Sequence, residues 1–280
     1  MTLTQVINAM RNKLILVIGD AMLDKYVIGR AERLCPEAPV PVFQVEKIDN
    51  INGGAAHVTD QLLALGVQCH YFYGEPVGVK TRYMVGSHML LRVDDDKKPQ
   101  NARDAKQVNL AVDRFFQDNQ DIAAVVISDY NKGWVTESLA KHVIAKARAL
   151  KIPTVVDPKG ANWTKYEGCS LICPNMKELK EWQGPSVAWP FMLLKCGEHG
   201  LTLYTPSGSK DFPARARHVF NVTGAGDTVV AVAAATLAAG GTHEQAAVFA
   251  NLAAGRCVEE LGTTVCSAET LIDLVGMEEG

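Results

Sequence analysis

Several things are missing from this sequence, and each absence removes a class of function. No block of like charge is longer than Asp94-Asp95-Asp96, and 28 Lys+Arg against 31 Asp+Glu leave a net charge of −3. That balance supplies no basic face for nucleic acid or an anionic membrane. The expected partner is a small molecule or a second copy of the chain. The seven cysteines (Cys35, Cys69, Cys169, Cys173, Cys196, Cys257, Cys266) are odd in number, scattered and without C-x-x-C spacing. They argue against a disulfide frame or zinc site, and for reduced thiols in the cytoplasm. No apolar run approaches the length of a membrane span. Internal repeats, low-complexity tracts and long linkers are absent too. No G-x-G-x-x-G follows the first strand-like run, so a dinucleotide-dependent oxidoreductase is the weakest of the enzyme readings.

What is present suits an α/β protein. At 280 residues and 48% hydrophobic content, the chain can bury a large core as one domain. Three unbroken apolar runs end in aspartate: "LILVIGD" at Asp20, "AAVVISD" at Asp129 and "IPTVVDP" at Asp157. Such runs read as parallel strands buried on both faces, and ligands of open α/β sheets lie beyond the carboxyl ends of the strands. The segments "AAHVTDQLLALG", "RDAKQVNLAVDRFFQDN" and "TESLAKHVIAKARAL" carry apolar residues at helix spacing and give a βαβ alternation. "EAPVPVFQVEKI" and "TRYMVGSHMLLRVDDD" instead alternate apolar and polar residues, with Gly86-Ser87 as a hairpin turn; they predict a small β lid beside the main sheet. Helices are expected after Gly226, from His243 to about Leu261, and from Ala268 to Val275.

The chemistry concentrates in "HVFNVTGAGDT". A strand-like run, then Thr-Gly-Ala-Gly, then a helix makes an anion hole: glycines admit a ligand close to backbone N–H groups, and the helix N-terminus adds partial positive charge. Asp227 falls in the first helical turn, where a carboxylate can be a base or merely a cap.

Taken together, "VIGDAMLD", "NGGAAH", "CPNMKE", "KCGEHG" and "NVTGAGDT" occur in one order across nearly the whole chain. The combination resembles the ribokinase-like (PfkB) carbohydrate kinases. Within that family, "GDAMLDKYVIG", "CPEAPVPVFQVE", "ISDYNKG" and "VVDPKG" are similar to the kinases that phosphorylate C1 of heptose 7-phosphate on the route to ADP-heptose and lipopolysaccharide. The resemblance implies a ribokinase-like three-layer α/β/α fold with a mainly parallel central sheet and a small β lid. Residues 1–280 would form a single kinase domain, with lid strands from about 26–48 and 81–93, a homodimer through the lid, and ATP and Mg²⁺ as cosubstrate and cofactor.

The resemblance also assigns roles. Asp227 would take a proton from the acceptor hydroxyl, and the amides of Gly224, Ala225 and Gly226 would form the anion hole. Asn175 and Glu178 match a pair that holds Mg²⁺ and its waters, although Asn-x-x-Glu is equally the pattern of a helix-capping pair. Asp20, Asp24, Gly53 and Gly54 would line the sugar pocket. His57 stands where a sugar-contacting Asn is usual. Lys80 and Arg82 are candidates for the sugar's 7-phosphate, or else two solvated charges. Asp129, Lys132 and Lys159 lie at strand ends facing the cleft; Lys159 contacts phosphate or flanks a turn. Lys195, Gly197, Glu198 and Gly200 match the nucleotide-side loop, and Asn251 and Gly262 fall near adenine. Asn221 replaces an Asp that binds a monovalent cation in several members, which puts such a cation in doubt.

Two βα units are shortened relative to this pattern. "VQCHYFYGEPVGV" stands where a helix and a strand are expected, and "LKEWQGPSVAWPFML" where another helix is expected. Trp182, Trp189, Phe191 and Tyr71-Phe72-Tyr73 would then be replacement packing, an interface, or ordinary core aromatics. Bifunctional relatives add a nucleotidyltransferase domain with a His-x-Gly-His signature; none is found here, so the kinase is expected to stand alone. A kinase for another sugar or a nucleoside, and a non-catalytic sugar-phosphate or nucleotide sensor, remain alternatives.

Overall fold

A computed structural model describes residues 1–97, 105–184, 189–216, 219, 222–260 and 264–279. Asn221, Gly262, Leu261 and most of the strand expected at "HVFNV" lie outside the described residues. The chain runs through α1 (Leu3–Met10), β1 (Leu14–Gly19), β2 (Ala21–Leu34), β3 (Pro41–Gly54), α2 (Ala55–Ala64), β4 (Gln68–Tyr73), β5 (Gly78–Val85) and β6 (His88–Asp95). There follow α3 (Ala105–Asp118), β7 (Ile122–Ser128), α4 (Glu137–Ala149), β8 (Thr154–Asp157), β9 (Leu171–Ile172), α5 (Met176–Glu181) and β10 (Met192–Lys195). The chain continues with β11 (Leu201–Thr205), β12 (Gly208–Phe212), α6 (Ala225–Ala238), α7 (His243–Val258) and α8 (Ala268–Glu279).

Eight strands form the main sheet in the order β12-β11-β10-β9-β8-β7-β1-β4. Pairing is parallel from β4 through β10 and antiparallel only for β11 and β12. The unbroken apolar runs are explained by burial on both faces. In β1 and β7, Ile15, Val17, Ala124 and Val126 enter the core shared with α1, α2, α6, α7 and α8. Leu16, Ile18, Val125 and Ile127 enter the core shared with α4, Trp163 and Tyr166. This is the three-layer α/β/α arrangement. α6 is buried on nearly every side, and its alanines let it pack closely between neighbouring elements.

The chain goes from β1 to β4 on one side and later to β7 on the other. That reversal makes a crevice at the carboxyl ends of β1 and β7, where Asp20 and Asp129 immediately follow the strands. The lid is a four-stranded sheet in the order β3-β2-β5-β6. Its turn falls at Gly86-Ser87, since Val85 pairs with His88. The lid strands run to the base of the lid: β2 begins one residue after Asp20, and β3 ends where α2 begins, with the Ala55 N–H donating to the Asp20 carbonyl at 3.1 Å.

Several aromatics of the shortened segments are packed, and residues 185–188 of the second lie outside the described residues. β4 leads directly to β5, leaving β4 as an edge strand. Phe72 packs edge-on against Phe115, Trp182 stacks on Trp163 and Phe191 stacks on His243. Tyr71 is half exposed and stacks on Tyr73.

Candidate active site

The aspartates at the carboxyl ends of β1, β7 and β8 are all buried, and Asp227 with them. Neighbouring strands bring three of them side by side: Gly19 pairs with Ser128 and Ser128 with Asp157. Burial alone favours the neutral form of a carboxyl. Hydrogen-bond partners decide how each one is used.

Asp20 is saturated by backbone. Its Oδ2 accepts from the N–H of Tyr130 (2.9 Å) and of Lys132 (3.1 Å), and its Oδ1 from the N–H of Trp134 (3.1 Å). This carboxylate staples the loop after β7 to the end of β1. Burial raises its pKa, and those three N–H bonds oppose the rise. Asp129 is filled by two side chains and one backbone N–H. Its Oδ2 accepts from Lys165 (2.5 Å) and from the Tyr166 hydroxyl (2.6 Å), and its Oδ1 from the Asn131 N–H (2.6 Å).

Among the described residues, Asp157 and Asp227 each have a single side-chain partner. The Lys195 ammonium donates to Asp157 Oδ1 at 2.6 Å, and the Tyr130 hydroxyl donates to Asp227 Oδ1 at 2.6 Å. Burial pushes Asp227 up to about 7, with Asp157 adding to the rise while Tyr130 and Lys195 oppose it. Burial likewise pushes Asp157 up to about 6 against the pull of Lys195. For Lys195, burial works against the charge, but Asp157 and Glu178 overcome it and hold the ammonium protonated.

Asp227 sits at the start of α6. Gly224 caps that helix at φ 84°, a left-handed conformation that only glycine adopts without strain. The first helical bond is from the Thr228 N–H to the Gly224 carbonyl, so the N–H groups of Gly226 and Asp227 have no intrahelical acceptor. Of the three amides nominated by the sequence, that of Ala225 is turned to the Val222 carbonyl at 3.3 Å. Lys195 closes the other side: a Cβ on Gly226 would lie 3.4 Å from its Nζ. A helix N-terminus, a buried ammonium and a buried carboxylate thus meet at one point, which is what a transferring anionic group requires.

Asn175 and Glu178 form the capping box that their spacing allows. The Asn175 side chain accepts from the Glu178 N–H at 2.9 Å, and Glu178 Oε2 accepts from the Asn175 N–H at 2.8 Å. Glu178 Oε1 also takes Lys159 at 2.7 Å. Among the described residues, no three His, Cys, Asp or Glu side chains converge to hold a metal ion. That donor set fits Mg²⁺ only as it arrives on a nucleotide, with phosphates and waters supplying most of its ligands.

On the lid side, Arg82 is pinned. Its Nη1 donates to Asp24 Oδ1 at 2.5 Å with both side chains nearly buried, and its guanidinium lies over the Tyr26 ring. Gly53 is required beside them, because a Cβ there would lie 2.6 Å from Asp24 Oδ2. Lys80 is half-buried with its Nζ 5.8 Å from the centre of the Tyr130 ring; burial lowers its pKa while Asp24 raises it. Lys132 is paired with Asp96 at 2.6 Å. His57 is buried beside Gln61, and burial lowers its pKa.

Three predicted positions take no part in the hydrogen bonds described above. Asn251 donates to the Pro213 carbonyl at 2.7 Å, Glu198 is exposed in a short 3₁₀ turn, and Gly200 ends that turn. Tyr130, Lys165, Tyr166 and Gln61 were not singled out from sequence. Tyr130 had a signal: it follows a strand-end aspartate in "ISDYNKG". Gln61 had none; it reaches the Thr264 carbonyl and the Cys266 N–H, about two hundred residues away.

Comparisons with known proteins bear on the family and the fold. The profile of the pfkB family carbohydrate kinases matches residues 96–271. The bifunctional protein HldE of Paramagnetospirillum magneticum is 33% identical over 325 aligned positions, covering 99% of this chain and 66% of that protein. The bifunctional protein HldE of Ectopseudomonas mendocina is 38% identical over 313 positions, covering 95% and 64%. The chain thus spans about two-thirds of the length of these relatives. Its 280 residues against 325 aligned positions mark it as shortened within the shared region. Among solved structures, Arabidopsis thaliana ribokinase complexed with ribose and ATP superposes with a TM-score of 0.65 at 17% identity, over 94% of this chain and 99% of that one. A Burkholderia thailandensis nucleoside kinase in complex with inosine gives 0.64 at 14% identity, over 94% and 96%. At those identities, the likeness is one of fold.

Proposed function

We propose, for a chain that belongs to the pfkB family of carbohydrate kinases, transfer of the γ-phosphoryl group of ATP to the C1 hydroxyl of D-glycero-D-manno-heptose 7-phosphate, giving the 1,7-bisphosphate. The observation that carries the kinase chemistry is the convergence of Asp227, the α6 N-terminus and Lys195. The acceptor hydroxyl attacks the γ-phosphorus, the bond to the ADP oxygen breaks, and the hydroxyl proton passes to Asp227. A carboxyl whose pKa lies near 7 is well matched to that proton at neutral pH. The N–H groups of Gly226 and Asp227, with Lys195, face the negative charge that builds on the equatorial oxygens. Glu178 would hold waters of Mg²⁺, which would supply neutralisation of the phosphate charge.

The heptose assignment rests on the long matching strings and on similarity along the chain to the HldE proteins. Lys80, rather than the pinned Arg82, is the lid cation available for a 7-phosphate. We also assign the exposed apolar surface of the lid to a second copy of the chain: Met89, Leu90, Leu91 and Val93 of β6 and Val45 and Ile48 of β3 are about half exposed. No helix of the described residues is long and apolar enough to cross a membrane, and the proposed site of action is the cytoplasm.

The test is ADP release with MgATP and a panel of heptose 7-phosphate, fructose 6-phosphate, ribose and adenosine, with Asp227→Asn as control. The expected result is the highest kcat/KM for heptose 7-phosphate. A higher value for ribose or adenosine overturns the substrate. Transfer no greater than that of the control overturns the kinase reading.

A further inference from the structure

We propose that Tyr130 is the positioning residue of the base: its hydroxyl holds one oxygen of Asp227 in place and leaves the other for the acceptor hydroxyl. The inference rests on Asp227 acting as the base. Its own ground is the 2.6 Å hydrogen bond between two groups 97 residues apart, and the way the fold fixes the donor.

Tyr130 is held from three directions. Asp20, at the end of β1, accepts its backbone N–H and those of Lys132 and Trp134, which locks the loop after β7. The Lys80 ammonium lies over its ring from the lid. The double glycine lies beside it: a Cβ on Gly54 would be 3.4 Å from Tyr130 Cδ2, and Gly54 adopts φ 60° there. A saturated carboxylate, a lid cation and a glycine therefore all bear on one phenol, and that phenol bears on the base. This is the logic of a catalytic base oriented by a third group.

The titratable groups that act on Asp227 come from four elements: Tyr130 after β7, Asp157 at the end of β8, Lys195 at the end of β10 and Asp24 in β2. Asp157 and Asp24 favour the neutral acid, whereas Tyr130 and Lys195 favour the carboxylate. Tyr130 is neutral at all working pH values, since burial and then Asp227 push its own pKa well up. It acts as a fixed donor and not as a second acid.

The closing experiment titrates Asp227 by ¹³C-carboxyl NMR in the unmutated protein and in Tyr130→Phe, with Asp227→Asn identifying the signal. Loss of one charge-assisted hydrogen bond should raise the midpoint by about one pH unit. In the kinase assay, the acid limb of kcat/KM should move up by the same amount. The loss is then about tenfold at pH 6 and small at pH 9, with KM for ATP unchanged. Adding Tyr130→Phe to Asp227→Asn should cost nothing further. A midpoint that stays put or falls overturns the proposal, whether or not the protein is active. A fall in kcat at all pH values, with a lowered thermal midpoint and an unmoved limb, also overturns it, because that is the mark of a merely structural tyrosine. Absence of transfer by the unmutated protein counts against the proposed function alone, since the NMR midpoint still decides the role of Tyr130.

Discussion

Around the carboxyl end of one sheet stand two pairs of buried aspartates of identical chemistry and opposite use. At β1 and β7, Asp20 and Asp129 each accept three hydrogen bonds. At β8 and α6, Asp157 and Asp227 each hold one side-chain partner among the described residues. A carboxylate whose oxygens are filled by the fold has little left for a substrate, and removing it leaves buried donors unsatisfied. A carboxylate with one partner has lone pairs to spare and a pKa lifted into the range useful for proton transfer. Burial is nearly the same in the two pairs. The number of donors aimed at each carboxylate separates scaffold from chemistry.

The comparison predicts separable effects. Asp227→Asn should lower kcat by about 10²–10⁴-fold while the protein stays folded; a steady-state assay beside a circular dichroism spectrum checks both halves. Asp129→Ala should cost about 3–5 kcal/mol in urea unfolding, because Lys165 is left as a buried unpaired charge. An unfolding midpoint close to that of the unmutated protein would blur the distinction.

The lid offers the same contrast in cations. Arg82→Ala should destabilise by about 3 kcal/mol by stranding Asp24. Lys80→Ala should instead raise KM for a phosphorylated sugar about tenfold and leave KM for ATP alone. Equal effects of Lys80→Ala on both substrates would remove its assigned role.

The smallest effect is a stability gain. Asp227 titrates near 7 in the folded protein against an ordinary 3.8. Between those values the folded state keeps a proton that the unfolded state releases. The stability tied to the neutral acid is complete below 3.8 and lost as pH rises through 7. Asp227→Asn removes the cost of ionising a buried group, so it should raise the thermal midpoint by a few degrees at pH 8 and hardly at all at pH 4. Melting curves at the two pH values check the sign.

Much of this was legible in the sequence because it is local. Three apolar runs ending in aspartate located the strand ends, and Thr-Gly-Ala-Gly-Asp located the helix that meets them. The lid was visible as alternation, and its turn lies where Gly86-Ser87 places it. The use of each carboxylate was not legible, since its partners come from far along the chain: Tyr166 reaches Asp129 across 37 residues and Tyr130 reaches Asp227 across 97. Arg82 could be read as a phosphate ligand or a solvated charge from sequence, and the pairing of β2 with β5 gives it Asp24 as a partner. Asn175 and Glu178 could be read as a metal pair or a cap from spacing alone, and the backbone at α5 shows that the cap is made.

The most direct test is single-turnover phosphoryl transfer, expressed per folded molecule, for Asp20→Asn, Asp129→Asn and Asp227→Asn side by side. The account predicts rates within about tenfold of the unmutated protein for the first two, and a loss of at least a hundredfold for the third. A folded Asp20→Asn or Asp129→Asn that is as slow as Asp227→Asn would contradict it.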